Sequence, residues 1–164
     1  MLGRLTTPVP FGLWMMNVFC QRVLGINKEC RFMVHFTSTV ITAQSIRLGR
    51  NVWKVFAISG GCCFQGLNGI EIGDDTMFAP GVRIISANHT KGDLSGHDAA
   101  EPIRIGKRCW IGANAVILPG VQLGDDVIVG AGAVVNRNVL AGVTIAGVPA
   151  HVVAEVSKSP AVRV

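Results

Sequence analysis

Counting in sixes from Ile105 lands on Ile105, Ile111, Ile117, Leu123, Val129 and Val135, an aliphatic residue at every step. Four places after each comes a second apolar or small residue: Cys109, Ala115, Val121, Val127, Ala133 and Val139. Turn formers such as Gly106-Lys107-Arg108, Gly124-Asp125-Asp126 and Gly130-Ala131-Gly132 separate the pairs. The two members of a pair flank a single residue, so the period of two along a strand turns both to one side and the middle residue outward. Three turn residues then bend the chain before the next pair. Three such hexads make a coil of about 18 residues, and stacked coils share an interior of Val, Ile and Ala. No single coil buries enough surface to stand alone, so the stack is what folds.

The first half keeps the rule more loosely. Leu48, Ile72, Phe78 and Ile84 share one phase, with Val40, Ile46, Val52, Ile58, Phe64, Ile70, Thr76 and Val82 at the companion position. Lys54, Gly60 and Gly66 break it. Composition agrees with many short strands and tight turns: 20 Gly, no Tyr and 49% apolar residues in 164. The net charge of +5 is scattered without the run or stripe that a nucleic-acid backbone demands, and speaks for an anionic small molecule. Five cysteines with no C-x-x-C pair argue against a disulfide framework or a zinc site and for reduced thiols in a cytosol.

The segment Phe11–Cys20 is strongly apolar, too short to span a bilayer and without a signal-peptide cleavage pattern. Two readings stand for it: a helix capping the open end of the core, or an amphipathic anchor that puts residues 9–24 on a membrane surface. The domain reading is a capping segment over 1–35, a β-helix over 36–146 and a tail over 147–164. The outward middle positions Trp110, Val116, Ile128 and Val134 are large and apolar, as on a surface that meets a partner.

The runs Ile85-Ser-Ala-Asn-His-Thr90, Pro102-Ile-Arg-Ile-Gly106, Cys109-Trp-Ile-Gly-Ala-Asn-Ala-Val-Ile-Leu-Pro-Gly120 and Ala146-Gly-Val-Pro-Ala150 carry a resemblance. Together they resemble the hexapeptide-repeat acyltransferases, the family of maltose, serine and xenobiotic acetyltransferases. Closest in kind are the sugar acetyltransferases of bacterial surface polysaccharides. The resemblance implies an all-β, left-handed parallel β-helix, a homotrimer with active sites between subunits, and acetyl-CoA as co-substrate with no metal.

The repeat slips between Ile84 and Ile105, whose separation of 21 is not a multiple of six. Residues near 90–104 therefore leave the coil as a loop, and loops on a rigid scaffold are where function concentrates. His89 stands at its mouth, followed by Asp93 and His97. The phase of the preceding coil turns Asn88 inward and His89 outward. The Asn-His pair implies, by the resemblance, that His89 is the general base, with Asn88, Asp93 and His97 at the acceptor; imidazole chemistry suits that role. Glu71, 18 residues before His89, is the candidate for orienting it, with a solvated surface carboxylate as the plain alternative. The resemblance also implies that Trp110, Ala113, Ala131, Asn136, Arg137, Pro149 and Ala150 line the cofactor path. His151 stands where the family often carries Lys or Arg, which shifts the phosphate contact toward Lys158 or Arg163.

The function read from this is acetyl transfer to a hydroxyl, or an amine, of a sugar or nucleotide-sugar precursor of a surface polysaccharide. It would take place in the cytoplasm or at the inner membrane face. A xenobiotic O-acetyltransferase, a metal-dependent carbonic-anhydrase-like protein and a non-catalytic β-helix are the alternatives.

Overall fold

The computed structural model describes residues 9–155. Its short strands lie on three parallel faces. Face one stacks Thr39–Ile41, Cys63–Gln65, Arg83–Ile85, Val116–Ile117 and Val134–Val135. Face two stacks Ile46–Leu48, Ile70–Ile72, Ile103–Ile105 and Gln122–Leu123, and face three Met77–Phe78, Trp110–Ile111, Ile128–Val129 and Val143–Ala146. The chain visits the faces in turn, so strands neighbouring in space belong to successive coils. Ile111 pairs with Val129 and Ile117 with Val135, one 18-residue coil apart.

The hexad columns become the interior. Ile105, Ile111, Ile117, Leu123, Val129 and Val135 are buried, as are their companions Cys109, Ala115, Val121, Val127 and Ala133. Thr76 is the polar member of that interior. It is satisfied because its hydroxyl donates to the Gly106 carbonyl (2.7 Å) and accepts from the Cys109 amide (3.0 Å). Between faces two and three the corner residues Asn51, Asp75, Arg108 and Asp126 all adopt left-handed φ between 55° and 68°. Asn and Asp tolerate that conformation, whereas Arg does not favour it. Arg108 is held there by a two-pronged bond to the carboxylate of Asp126 on the next coil (2.8 and 2.6 Å).

The first coil departs from the repeat. Residues Val52–Ile58 form a helix where the third face would begin, and bury Val52, Val55, Phe56 and Ala57 while Trp53 turns out. The hexad count assigns Val52 and Ile58 to strands. Their neighbours instead follow helical spacing, with Val55 and Phe56 three and four places after Val52, which is why Lys54 breaks the strand phase. Phe56 plugs the end of the prism, its ring 4.3 Å from Phe64, 4.9 Å from Phe32 and 5.1 Å from Phe78.

Above this plug lies a helix over Phe11–Val18 continued by a π-helical turn over Phe19–Val23. No helix among the described residues is long and apolar enough to cross a membrane. At the other end His151–Glu155, within the stretch expected as a tail, returns antiparallel to Val143–Ala146 and covers that edge of face three.

Because the rings of Phe56 and Phe78 both pack on the fully buried Phe64, Phe64→Ala should lower unfolding stability by about 3–5 kcal/mol in a denaturant titration.

Candidate active site

Face one ends its third strand at Ile85, and the chain then leaves the prism. Ser86 and Ala87 are both buried, so the in–out alternation slips by one residue and Asn88 and His89 are both exposed. This corrects the expected inward aim of Asn88. His89–Thr90 pairs antiparallel with Asp93–His97, placing His89 opposite His97 with ring centroids 5.0 Å apart and planes inclined by 30°. The excursion is shorter than 90–104, because Ile103–Ile105 is already a strand of face two.

The hairpin is anchored by two residues that no sequence motif picks out. Gln65, on the preceding coil, accepts the Ser86 amide on its backbone carbonyl and the Ala87 amide on its side-chain oxygen, both at 3.0 Å. Asn68 donates its side-chain amide to the carbonyls of Ser86 and Asp98 (2.9 Å each) and its backbone amide to the Ser86 hydroxyl. Asn68 thus clamps the outgoing and returning strands together. The Asp98 amide, donating to the Asn88 carbonyl (3.0 Å), closes the base. At the tip, Asp93 accepts from the hydroxyl and the amide of Ser95 (2.6 and 2.9 Å), and these bonds hold its carboxyl below the usual range. Asp93 therefore shapes the turn.

Glu71 does not reach His89. It lies in the middle of face two, in register between Arg47 and Arg104, and pairs with both (3.6 and 3.4 Å). A displacement of 18 residues keeps one column only where the coil is unbroken, and the excursion that leaves after Ile85 puts Arg104, not His89, beside Glu71 on the next coil. The group facing His89 is His97.

The remaining candidates fall on two edges of face one. Asn136 and Arg137 are exposed at the same corner as the hairpin, following the fifth strand of face one. Ala113, Ala131 and Pro149 occupy the opposite corner, where face three passes into face one. There Gly132 donates to the Ala113 carbonyl (2.8 Å). A side chain at Gly112 would meet the Ala131 backbone nitrogen at 2.5 Å, so the turns stack with almost no space between them. The result is a strip of backbone flanked mostly by small side chains, a surface that suits an extended, amide-rich chain. Ala150 is buried beneath it and donates its amide to Val134 (2.8 Å). Trp110 lies half-exposed on face three between Met77 and Ile128. Lys158 and Arg163 lie outside the described residues. His151, at the head of the returning strand, places its Nδ1 3.3 Å from the Pro149 carbonyl.

Burial pushes the thiols of Cys62 and Cys109 upward, and that of Cys30 up to about 11 with help from Glu29. These thiols stay protonated near neutral pH and are poor nucleophiles. Among the described residues no three His, Cys, Asp or Glu side chains converge as a metal ion requires.

Comparison with known proteins places this geometry. Residues 102–137 match the family model described as the hexapeptide repeat of succinyl-transferase. A putative acetyltransferase of Saccharomyces cerevisiae is 36% identical over 96% of this chain and 95% of its own length. The chain belongs to the hexapeptide-repeat acyltransferase family. Galactoside O-acetyltransferase of Escherichia coli is 34% identical over 117 residues, 70% of this chain and 56% of that enzyme. A solved galactoside acetyltransferase in complex with coenzyme A superposes with a TM-score of 0.65 at 30% identity, covering 73% of this chain and 60% of the other. The chain thus spans little more than half the length of these galactoside relatives.

Asn68→Ala removes two hydrogen bonds that tie the strands of the hairpin, each worth about 0.5–1.5 kcal/mol. Limited proteolysis should then cut within residues 90–98 at least about tenfold faster than in wild type, with the strand content unchanged by circular dichroism.

Proposed function

We propose that this family member transfers an acetyl group from acetyl-CoA to a sugar hydroxyl, with His89 as general base. Supporting this is the position of His89: an exposed imidazole on a hairpin clamped to the rigid prism by Gln65 and Asn68, in a chain related to galactoside O-acetyltransferases. The acceptor class suggested is a sugar or nucleotide sugar of a surface polysaccharide, met in the cytoplasm. The coil is read as left-handed, in keeping with the family.

When bound, acetyl-CoA supplies an acyl group activated as a thioester. Neutral His89 takes the proton of the acceptor hydroxyl as that oxygen bonds to the thioester carbonyl carbon. It then gives the proton to the sulfur as the C–S bond breaks, so the imidazole ends neutral and free CoA departs as its thiol. His97, Asn88 and the hairpin tip shaped by Asp93 flank the acceptor. The small-residue corner at Ala113 and Ala131 suits the amides of the pantetheine arm, and the segment Pro149–Ala150 the adenine end. Arg137, with Asn136, supplies a cation for a phosphate.

Within one chain these two groups stand on opposite edges of face one. A complete site is therefore read as shared: the hairpin corner of one subunit beside the small-residue corner of the next, in a homotrimer packed through the outward Trp110, Val116, Ile128 and Val134. Trp110 and Ile128 are 38% and 37% exposed in the single chain, an apolar area that a neighbour would cover.

His89→Ala should reduce kcat/KM for the best acceptor in a panel of sugars and nucleotide sugars by at least about a hundredfold. The exposed site predicts an unchanged melting temperature, and undiminished turnover in the variant would end the general-base reading. Ile128→Glu should shift the mass measured by light scattering toward a single chain; a wild type already monomeric would refute the shared site.

A further inference from the structure

The helix over Phe11–Val18 and its π-helical continuation are built the wrong way round for a surface helix of a globular protein. The polar side faces in. Asn17, fully buried, donates to the Ala57 carbonyl (2.9 Å) and accepts the Phe36 amide (3.0 Å). One turn later Gln21 donates to the carbonyls of Cys30 and Phe32 (3.1 and 3.0 Å) and accepts the Val34 amide (3.3 Å). These amides stitch the helix to the plug beneath it. The apolar side faces out: Phe11 is 73% exposed, Met15 52%, Phe19 49%, Trp14 45% and Val23 69%. A globular helix ordinarily turns its apolar stripe to the core. A contiguous apolar patch left outside marks a docking surface.

The charge distribution says what docks there. The first 54 residues carry seven Lys and Arg against one Glu, whereas the remaining 110 carry eight against nine. Around the helix itself the described charges are Arg22, Lys28 and Arg31 against Glu29, three cations to one carboxylate. Farther along, Arg47, Arg50, Arg104 and Arg108 are paired with carboxylates. Arg22, Lys28 and Arg31, on and just beyond the helix, are exposed and make no ion pair with any described residue. A second copy docked on this end would bring like charges together. An anionic bilayer offers both complements at once, acyl chains for the rings and methionines and headgroup phosphates for the cations.

We propose that the N-terminal end of the prism docks on the surface of an anionic lipid bilayer, with Phe11, Trp14, Met15 and Phe19 in the acyl–headgroup boundary and Arg22, Lys28 and Arg31 at the phosphates. With eight residues of α-helix and five of π-helix, the segment lies on the membrane and does not cross it. Capping and anchoring are then two sides of one element, the amide side closing the fold and the apolar side holding the lipid. The docking is independent of acyl transfer.

Cosedimentation of the full chain with vesicles, in the absence of CoA, tests it. Wild type should pellet with phosphatidylcholine vesicles containing phosphatidylglycerol, and bind pure phosphatidylcholine at least about tenfold more weakly. Raised salt should release it. Trp14→Ser with Phe19→Ser should abolish pelleting. Arg22→Gln with Lys28→Gln should weaken it roughly 25-fold, about fivefold for each charge. Absence of wild-type binding to either vesicle would overturn the proposal, as would undiminished pelleting of the Trp14/Phe19 variant. A drop in the oligomer mass of that variant, with wild type not bound to lipid, would assign the patch to a protein contact instead. Circular dichroism of both variants checks that the fold is intact.

Discussion

Each strand of the prism has no partner within its own coil, and its hydrogen bonds run to the coil above and the coil below. Thus Trp110 takes the Val127 carbonyl and Val116 the Ala133 carbonyl, while Arg104 takes that of Val121, all at 2.8–3.1 Å. Coil-to-coil registration is therefore the constraint on which everything else rests. It explains why the corners must be tight and why only a few residue types fill them. A corner with a bulky side chain would separate two coils by more than the roughly 4.8 Å that a parallel ladder allows. Arg108 is the informative exception. Its disfavoured backbone is held by a carboxylate belonging to the neighbouring coil, so the pairing that fixes the corner is the same contact that fixes the stacking.

A regular stack has two open ends, and the molecule treats them differently. One is closed by hydrophobic filling, with Phe56 set against Phe32, Phe64 and Phe78. The other is closed by hydrogen bonding, the strand His151–Glu155 turning back along Val143–Ala146. The filled end spends its aromatic residues inside the prism, so the helix above it is fastened by amides. Asn17 and Gln21 are suited to that because each side chain donates and accepts, and each finds backbone groups of non-strand segments that no ladder satisfies.

The later coils were legible in the sequence because nothing there interrupts the six-residue period, and each residue from Ile105 to Val135 that the period assigns inward is inward. The earlier coils were legible only in part. A period of six and a period of 3.6 both put Val52 inside, but Lys54 breaks the first while Val55 and Phe56 keep the second. For the site, the register break located the excursion. Its inner geometry was hidden, because Asn88 turns outward only when Ser86 and Ala87 both go in. The clamp residues Gln65 and Asn68 were hidden for a different reason. Their side chains act across 18 to 30 positions of sequence, on backbone atoms that every residue possesses, and so leave no pattern of residue types to find.

That hidden clamp bears on how a hexapeptide scaffold can carry chemistry at all. A hairpin leaving a parallel prism loses the ladder at its base: the Ser86 amide still reaches the Gln65 backbone carbonyl, but the Ser86 carbonyl and the Ala87 amide, on two buried residues, would otherwise go unpaired. Gln65 and Asn68 replace the missing ladder with side-chain amides, which have the same donors and acceptors as the backbone they stand in for. The excursion is consequently continuous with the rigid stack at its root while its far strand, Asp93–His97, is exposed along most of its length. His89 sits at the junction, one residue beyond Asn88 whose carbonyl closes the base, and there it shares the rigidity of the coil and the exposure of the hairpin. Ser86 and Ala87 farther in are buried, and a side chain beyond Thr90 would be held only by the turn at Asp93, so Asn88 and His89 stand where a side chain is both fixed and open to a substrate.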